Sequence, residues 1–222
     1  MSTQIRTFQV QRGRLRTRRR MALSKLGPRY GVEVTGGPLD PVAVFGRQAP
    51  LVLEIGSGMG TATAAMAEAD PDRNYLAAEV HTPGVANLLL LIEERRLTNL
   101  RVAHGDALEL LRQRIPPDSL DAVLAFFPDP WPKLRHHKRR LFQPQHVALM
   151  RSRLRIGGTL HTVTDWADYA RVMRRTLEED PGLTNAYPDW APRQPHRPMT
   201  KYEQRALAEG RPIFELVFHR TA

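Results

Sequence analysis

Residues 51–60, LVLEIGSGMG, constrain this chain more than any other stretch. A short apolar run of strand type enters three glycines spaced two apart, and an Ala-rich segment, residues 61–69, follows until Asp70-Pro71 stops it. Strand, glycine turn and helix in that order open a right-handed βαβ unit, so a parallel α/β sheet is expected. The glycines allow backbone to come close to a ligand, and the free N–H groups at the helix start favour an anionic end. A dinucleotide fingerprint would read GxGxxG, whereas these glycines fall as GxGxG with Thr61 next. That spacing speaks against a pyrophosphate ligand and so against a nicotinamide-dependent oxidoreductase.

Apolar periodicity extends the pattern along the chain. Strands are predicted at residues 75–80, 100–103, 120–127, 159–164 and 213–219, with a weak one at 183–187. Helices are predicted over residues 84–96, 143–154 and 166–179, and a short one opens at Thr200. Successive strand ends then deliver Glu54, Glu79, Asp106, Asp129 and Asp165 to one edge, which in an open parallel sheet is where ligands bind. Glu79 is placed to accept hydrogen bonds from a ribose diol. Asp106 is placed to accept one from an adenine amino group; taken alone, an Asp beside Gly105 is more often a turn residue. Thr200 to Glu203 has the Ser/Thr-x-x-Glu form of a helix capping box.

Residues 126–140, FFPDPWPKLRHHKRR, leave the fourth of these strands. Pro128, Pro130 and Pro132 forbid helix and hold Asp129 and Trp131 on a stiff loop. Lys133, Arg135, Lys138, Arg139 and Arg140 follow with no acid among them, a pattern that attracts phosphate. A plain alternative is a Pro-rich turn before a solvated basic helix, and Trp131 fits either base stacking or packing beneath the loop. His136 and His137 lack a suitably spaced third ligand, so no metal is expected.

A net charge of +10 and an isoelectric point near 10.7 favour an extended anionic partner, nucleic acid first. Cysteine is absent, which excludes disulfides and thiolate zinc sites and fits a reducing compartment. No apolar run reaches the length of a membrane span. Nine Lys or Arg residues precede the first acid, Glu33, within or just before a segment free of hydrophobic signal. Residues 1–30 are therefore expected to be a flexible basic arm, residues 31–50 a Gly- and Pro-rich linker, and residues 51–222 the folded domain.

LEIGSGMG, AAEVHTPGV, Asp106-Ala107, FFPDPWPKLRHHKRRL, Thr164-Asp165 and RPMTKYEQRAL, in this order, resemble the bacterial tRNA (guanine-N7)-methyltransferases. The resemblance implies a Rossmann-like methyltransferase fold: a doubly wound, mostly parallel seven-stranded sheet with helices on both faces. It also implies S-adenosylmethionine as donor, a guanosine of the tRNA variable loop as acceptor, a cytoplasmic location, and no obligate protein partner. Carried over by position, donor-site residues fall on Glu54, Gly56, Gly58, Glu79, Asp106 and Asp129, with Asp129 also the expected catalytic residue. Substrate positions fall on Lys133, Asp165, Thr200, Lys201, Tyr202 and Glu203, beside expected phosphate contacts from Arg135, Lys138, Arg139 and Arg140. Leu134, Tyr202 and Ala206 stand where the family more often has a basic residue, Phe and Gly. Another RNA acceptor, or an RNA-binding protein that keeps the fold without catalysis, remain the alternatives.

Overall fold

The computed structural model describes residues 6–8 and 16–222. Its centre is β2 (Leu51–Ile55), flanked by β3 (Asn74–Glu79) and β5 (Leu120–Phe126), all three parallel. Their nearly continuous apolar sequences follow from burial on both faces. With β1 (Gly31–Val32), β4 (Leu100–His104), β6 (Leu154–Thr164), β7 (Leu183–Asn185) and β8 (Phe214–Arg220), the order is β1-β4-β3-β2-β5-β6-β8-β7. Chain progression reverses between β2 and β5, so a crevice opens above their carboxyl ends. Among the described strands only β8 runs antiparallel, wedged between β6 and β7.

Helices α1 (Thr17–Tyr30), α3 (Thr61–Ala69) and α4 (Thr82–Arg95) pack on one face through Tyr30, Ala64, Met66, Leu88 and Ile92. On the other face lie α5 (Ala107–Gln113), α6 (Pro144–Arg153) and α7 (Ala167–Glu178), contributing Leu108, Leu111, Met150, Tyr169 and Met173. Two short helices complete the fold, α2 (Pro41–Phe45) and α8 (Lys201–Ala208). Among the described residues no helix is long and apolar enough to cross a membrane.

Several expectations need correction. Among the described residues the sheet has eight strands, because Gly31 and Val32, within the supposed linker, pair with Val102 and Ala103. Residues 17–30 form a helix docked on α4, with Tyr30 Oη donating to Glu93 at 2.5 Å. Its buried stripe, Ala22, Leu23, Leu26 and Tyr30, is masked in sequence by Arg18 to Arg20 and by Gly27-Pro28. The folded domain thus begins well before residue 51, while residues 1–5 and 9–15 of the expected arm lie outside those described. α5 had no prediction; Asp106 caps it by accepting from the Leu108 N–H at 2.9 Å. β6 begins at Leu154, five residues before the strand expected from residue 159, and bulges between its pairings with Leu120 and Ala122.

α8 is tied to the sheet by a buried ionic knot. The Arg197 guanidinium, 0% exposed, donates to Glu203 at 2.5 and 2.8 Å and to Glu215 of β8 at 3.0 Å. His161 Nε2 lies 2.7 Å from Glu215 as well. Burial alone would raise both carboxyls, but the hydrogen bonds from Arg197 to Glu203, and from His161 and Arg197 to Glu215, hold them below their ordinary value. Replacing Arg197 by Met strands two buried carboxylates on one face. Chemical denaturation of this variant is expected to show a loss of about 3–5 kcal/mol relative to the parent protein.

Candidate active site at the carboxyl edge of the sheet

Between β2 and α3 the chain turns through Gly56, Gly58 and Gly60 at φ of 80°, 57° and 74°, a region that side chains rarely enter. The start of α4 presses on this turn: a Cβ on Gly84 would sit 2.0 Å from the Gly58 carbonyl oxygen. Glu79, at the end of β3, accepts from the Gly58 N–H at 2.6 Å and from the His81 N–H at 2.7 Å. Beneath the turn Glu54 is buried and accepts from Thr63 Oγ1 at 2.5 Å. Burial pushes the Glu54 carboxyl up to about 7; the Thr63 bond pulls against this and the charge of Glu79 adds to it. Ser57 Oγ is buried in the turn with no hydrogen-bond partner among the described residues.

A cavity opens at this edge, lined by Ile55, Gly56, Glu79, Val80, Gly105 and Asp106. Three of the expected donor-site residues, Gly56, Glu79 and Asp106, line this hollow and Gly58 is bonded to Glu79, whereas Glu54 and Asp129 are not part of its lining. Thr7 and Phe8 line it from above. The cradle suits a polar, hydroxyl-bearing ligand: Ser57 Oγ awaits a partner, and the glycines leave room at the backbone.

Asp129 follows β5 on a loop bracketed by Phe127 at φ 51° and Trp131 at φ 44°. Such angles for bulky residues cost on the order of 1–3 kcal/mol each, so contacts must hold them. The Phe127 N–H donates to the Val163 carbonyl at 2.8 Å. Trp131 is buried, donates through Nε1 to the Thr7 carbonyl at 3.1 Å and lies 3.7 Å beneath the Arg139 guanidinium. Asp129 reaches solvent on one side; protein packed round the other raises its carboxyl, and the charge of Arg139 counteracts this. Among the described residues no hydrogen bond engages that carboxylate.

Residues 134–139 form a 3-10 helix, whose three-residue period sorts the cations. Lys133, Arg135 and Lys138 face solvent. His136 and Arg139 lie on Trp131, and Arg139 donates to the carbonyls of Arg6 at 3.1 Å and Phe8 at 2.8 Å. Arg140, expected to meet phosphate, is instead 1% exposed, bonded to the Pro130 carbonyl and to Asp168, both at 2.8 Å. Its burial among acceptors from its own fold removes it from the phosphate-binding surface.

The remaining positions flank the loop. Asp165, at the end of β6, pairs with Arg211 at 2.8 Å. Thr200 caps α8, its Oγ1 accepting from the Glu203 N–H at 3.1 Å, while the Glu203 side chain turns inward to Arg197 and Arg193. Lys201 and Tyr202 are exposed, and the Tyr202 ring stacks on Phe127 at 6.1 Å. Sequence reasoning missed Ser57, Thr63, Arg211 and Asp168. Thr63, nine positions after a strand-end acid and early in α3, carried a usable spacing signal; Arg211 and Asp168 carried none. Among the described residues no group of His, Asp and Glu is placed to hold a metal ion.

Known proteins resemble this chain in sequence and in fold. A family described as "Putative methyltransferase" matches residues 48–216. A tRNA (guanine-N(7)-)-methyltransferase of Nitrosospira multiformis is 49% identical, covering 97% of this chain and 94% of the relative. One from Nitrosomonas europaea is 47% identical over 98% and 97%. Among solved structures, the 16S rRNA methyltransferase KamB aligns with a TM-score of 0.60 at 14% identity, covering 80% of this chain and 90% of that one. An rRNA methylase from Streptococcus thermophilus aligns at 0.53 and 15% identity, over 78% and 88%. These two likenesses speak to the fold alone, whereas relatives nearly half identical from end to end fix the lineage: the chain belongs to the tRNA (guanine-N7)-methyltransferase family.

Proposed function

We propose that the protein transfers a methyl group from S-adenosylmethionine to N7 of a guanosine in the variable loop of tRNA, in the cytoplasm. The observation that carries this reading is a cavity rimmed by strand-end acids, adjoining a rigid Asp129 loop and a solvent-facing cationic edge. Glu79 and Asp106 suit the nucleoside hydroxyls and amino group, Ser57 Oγ supplies a further hydrogen-bonding atom, and Glu54 counters positive charge from below. When bound, the donor supplies a methyl group activated by a sulfonium sulfur.

Guanine N7 carries an in-plane lone pair and no proton, so no general base is required. The chain has two tasks, alignment of N7 with the methyl carbon and tolerance of positive charge arriving on the purine. Asp129 serves both. Its carboxylate holds the guanine amide and amino edge and stabilises the forming cation, and the partly desolvated setting strengthens that attraction. Lys133, Arg135 and Lys138 hold phosphates, while Asp165, Thr200, Lys201 and Tyr202 border the base; Glu203, expected to join them, is turned inward to Arg197 and supports that segment from within.

Asp129→Ala is expected to lower kcat on the order of 100-fold or more, with tRNA affinity and thermal midpoint retained; a labelled-methyl assay on unmodified tRNA, with mapping of the product nucleoside, measures it. Normal transfer by this variant contradicts the role.

Glu54 generates a pH prediction. A cationic donor favours the ionised carboxylate, so its binding lowers a value that stands at about 7 in the free protein. Donor affinity should rise as pH approaches 7 from below and level off above it, with proton release on binding. Calorimetry in buffers of different ionisation enthalpy detects that proton, and Glu54→Gln abolishes it.

The cationic edge is tested by salt. Ala at Lys133, Arg135 and Lys138 together should weaken tRNA binding and flatten the plot of log affinity against log salt by about one unit per lost contact.

A further inference from the structure

The loop that carries Asp129 is poor in donors. Pro128, Pro130 and Pro132 have no N–H, so no backbone ladder can hold residues 128–132 from their donor side. Their carbonyls remain as handles, and a donor must come from elsewhere in the fold. Arg140 supplies it. Nε donates to the Pro130 carbonyl at 2.8 Å, one residue from Asp129. A second guanidinium nitrogen donates to Asp168, in the first turn of α7, also at 2.8 Å. The plane of the fork lies 4.8 Å over the Tyr169 ring, and Tyr169 Oη in turn accepts from the Phe142 N–H at 3.2 Å.

Burying a guanidinium is costly unless charge and hydrogen bonds are matched. Asp168 matches the charge, and Arg140 holds the Asp168 carboxyl below the ordinary carboxylate value. Phosphate cannot be the partner, because the residue is 1% exposed. We infer that Arg140 is a positioning residue for methyl transfer, fixing the Pro130 carbonyl and thereby the orientation of Asp129. This rests on the role proposed for Asp129. Lysine cannot replace it: a single ammonium on a flexible stem lacks the planar fork that reaches a carbonyl and a carboxylate at once.

Arg140→Lys and Arg140→Met are compared with Asp168→Asn and with Arg135→Met as a surface control. Displacing a reacting group by about 1 Å costs on the order of 100-fold in rate. Both Arg140 variants should therefore lose on the order of 100-fold in kcat, with tRNA affinity and its salt slope as in the parent protein. Asp168→Asn should shift kcat the same way by less. Arg135→Met, a loss of a phosphate contact, should instead flatten the salt slope by about one unit. Hydrogen exchange across residues 126–135 should accelerate in the Arg140 variants and in Asp168→Asn, and stay unchanged in Arg135→Met. Retained kcat, or a salt slope about one unit shallower in Arg140→Met, overturns the inference. Should the Arg140 variants not fold, Asp168→Asn decides by the same two readouts, and unaltered kcat and exchange there overturn it. Absence of methyl transfer by the parent protein defeats the proposed function instead, and exchange alone then judges whether Arg140 holds the loop.

Discussion

Both oxygens of Glu79 are committed to backbone N–H groups, one from Gly58 and one from His81, and the carboxyl edge is organised around that clasp. It joins the turn leaving β2 to the turn leaving β3 without any intervening side chain. The joint works only because Gly84 lets the start of α4 come against the Gly58 carbonyl, and because Gly58 holds a positive φ. A carboxylate in this position also places negative charge above Glu54, reinforcing the burial that lifts its proton affinity toward neutrality. Geometry and electrostatics of the cavity thus share a cause. Hydrogen bonding keeps one acid in place, while burial lifts the carboxyl of its neighbour to about 7, where a cationic ligand favours loss of the proton.

The same economy of backbone governs the Asp129 loop. Proline removes its donors, and positive φ at Phe127 and Trp131 removes any low-energy alternative that ordinary strand geometry would offer. What remains is capture of carbonyls and rings from two sides: Arg140 from within the fold, and Arg139 with the residue 6–8 segment from above. Two adjacent arginines of the same charge therefore act in opposite directions. The difference comes from the three-residue period of the 3-10 helix and the step that follows it, which aims Lys138, Arg139 and Arg140 at solvent, indole and interior in turn.

Legibility in the sequence followed the length scale of each interaction. Residues 51–69 announced strand, turn and helix because the whole unit is local, and β2 and α3 occupy those bounds. Glu79 and Asp106 were legible for a related reason: parallel strands share a carboxyl edge, so a position within each strand suffices to bring these two acids to one cavity. Arg140 was not legible, since its burial depends on Asp168 and on a carbonyl ten residues upstream. Nor was the inward turn of Glu203, where the capping pattern at Thr200 is real but the acid answers to Arg197 and not to the cap. α1 was hidden by composition, its arginine run outweighing the few apolar positions, Ala22 and Tyr30 among them, that the helix buries. Charge runs report where a chain is cationic; they do not report which members of the run the fold consumes.

That consumption bears on the chemistry. A nucleophile without a proton asks its enzyme for no acid or base, only for distance, angle and a field that suits a cation. A freely moving carboxylate supplies the field without the angle, and a surface arginine supplies grip without either. In this fold the grip is left to side chains that solvent can reach, Lys133, Arg135 and Lys138, whereas the angle is set by a guanidinium that it cannot reach. Binding strength should therefore answer to ionic strength while the orientation of Asp129 does not, because screening acts on exposed charges and barely on a pair whose cation is buried between a carbonyl and an aromatic ring.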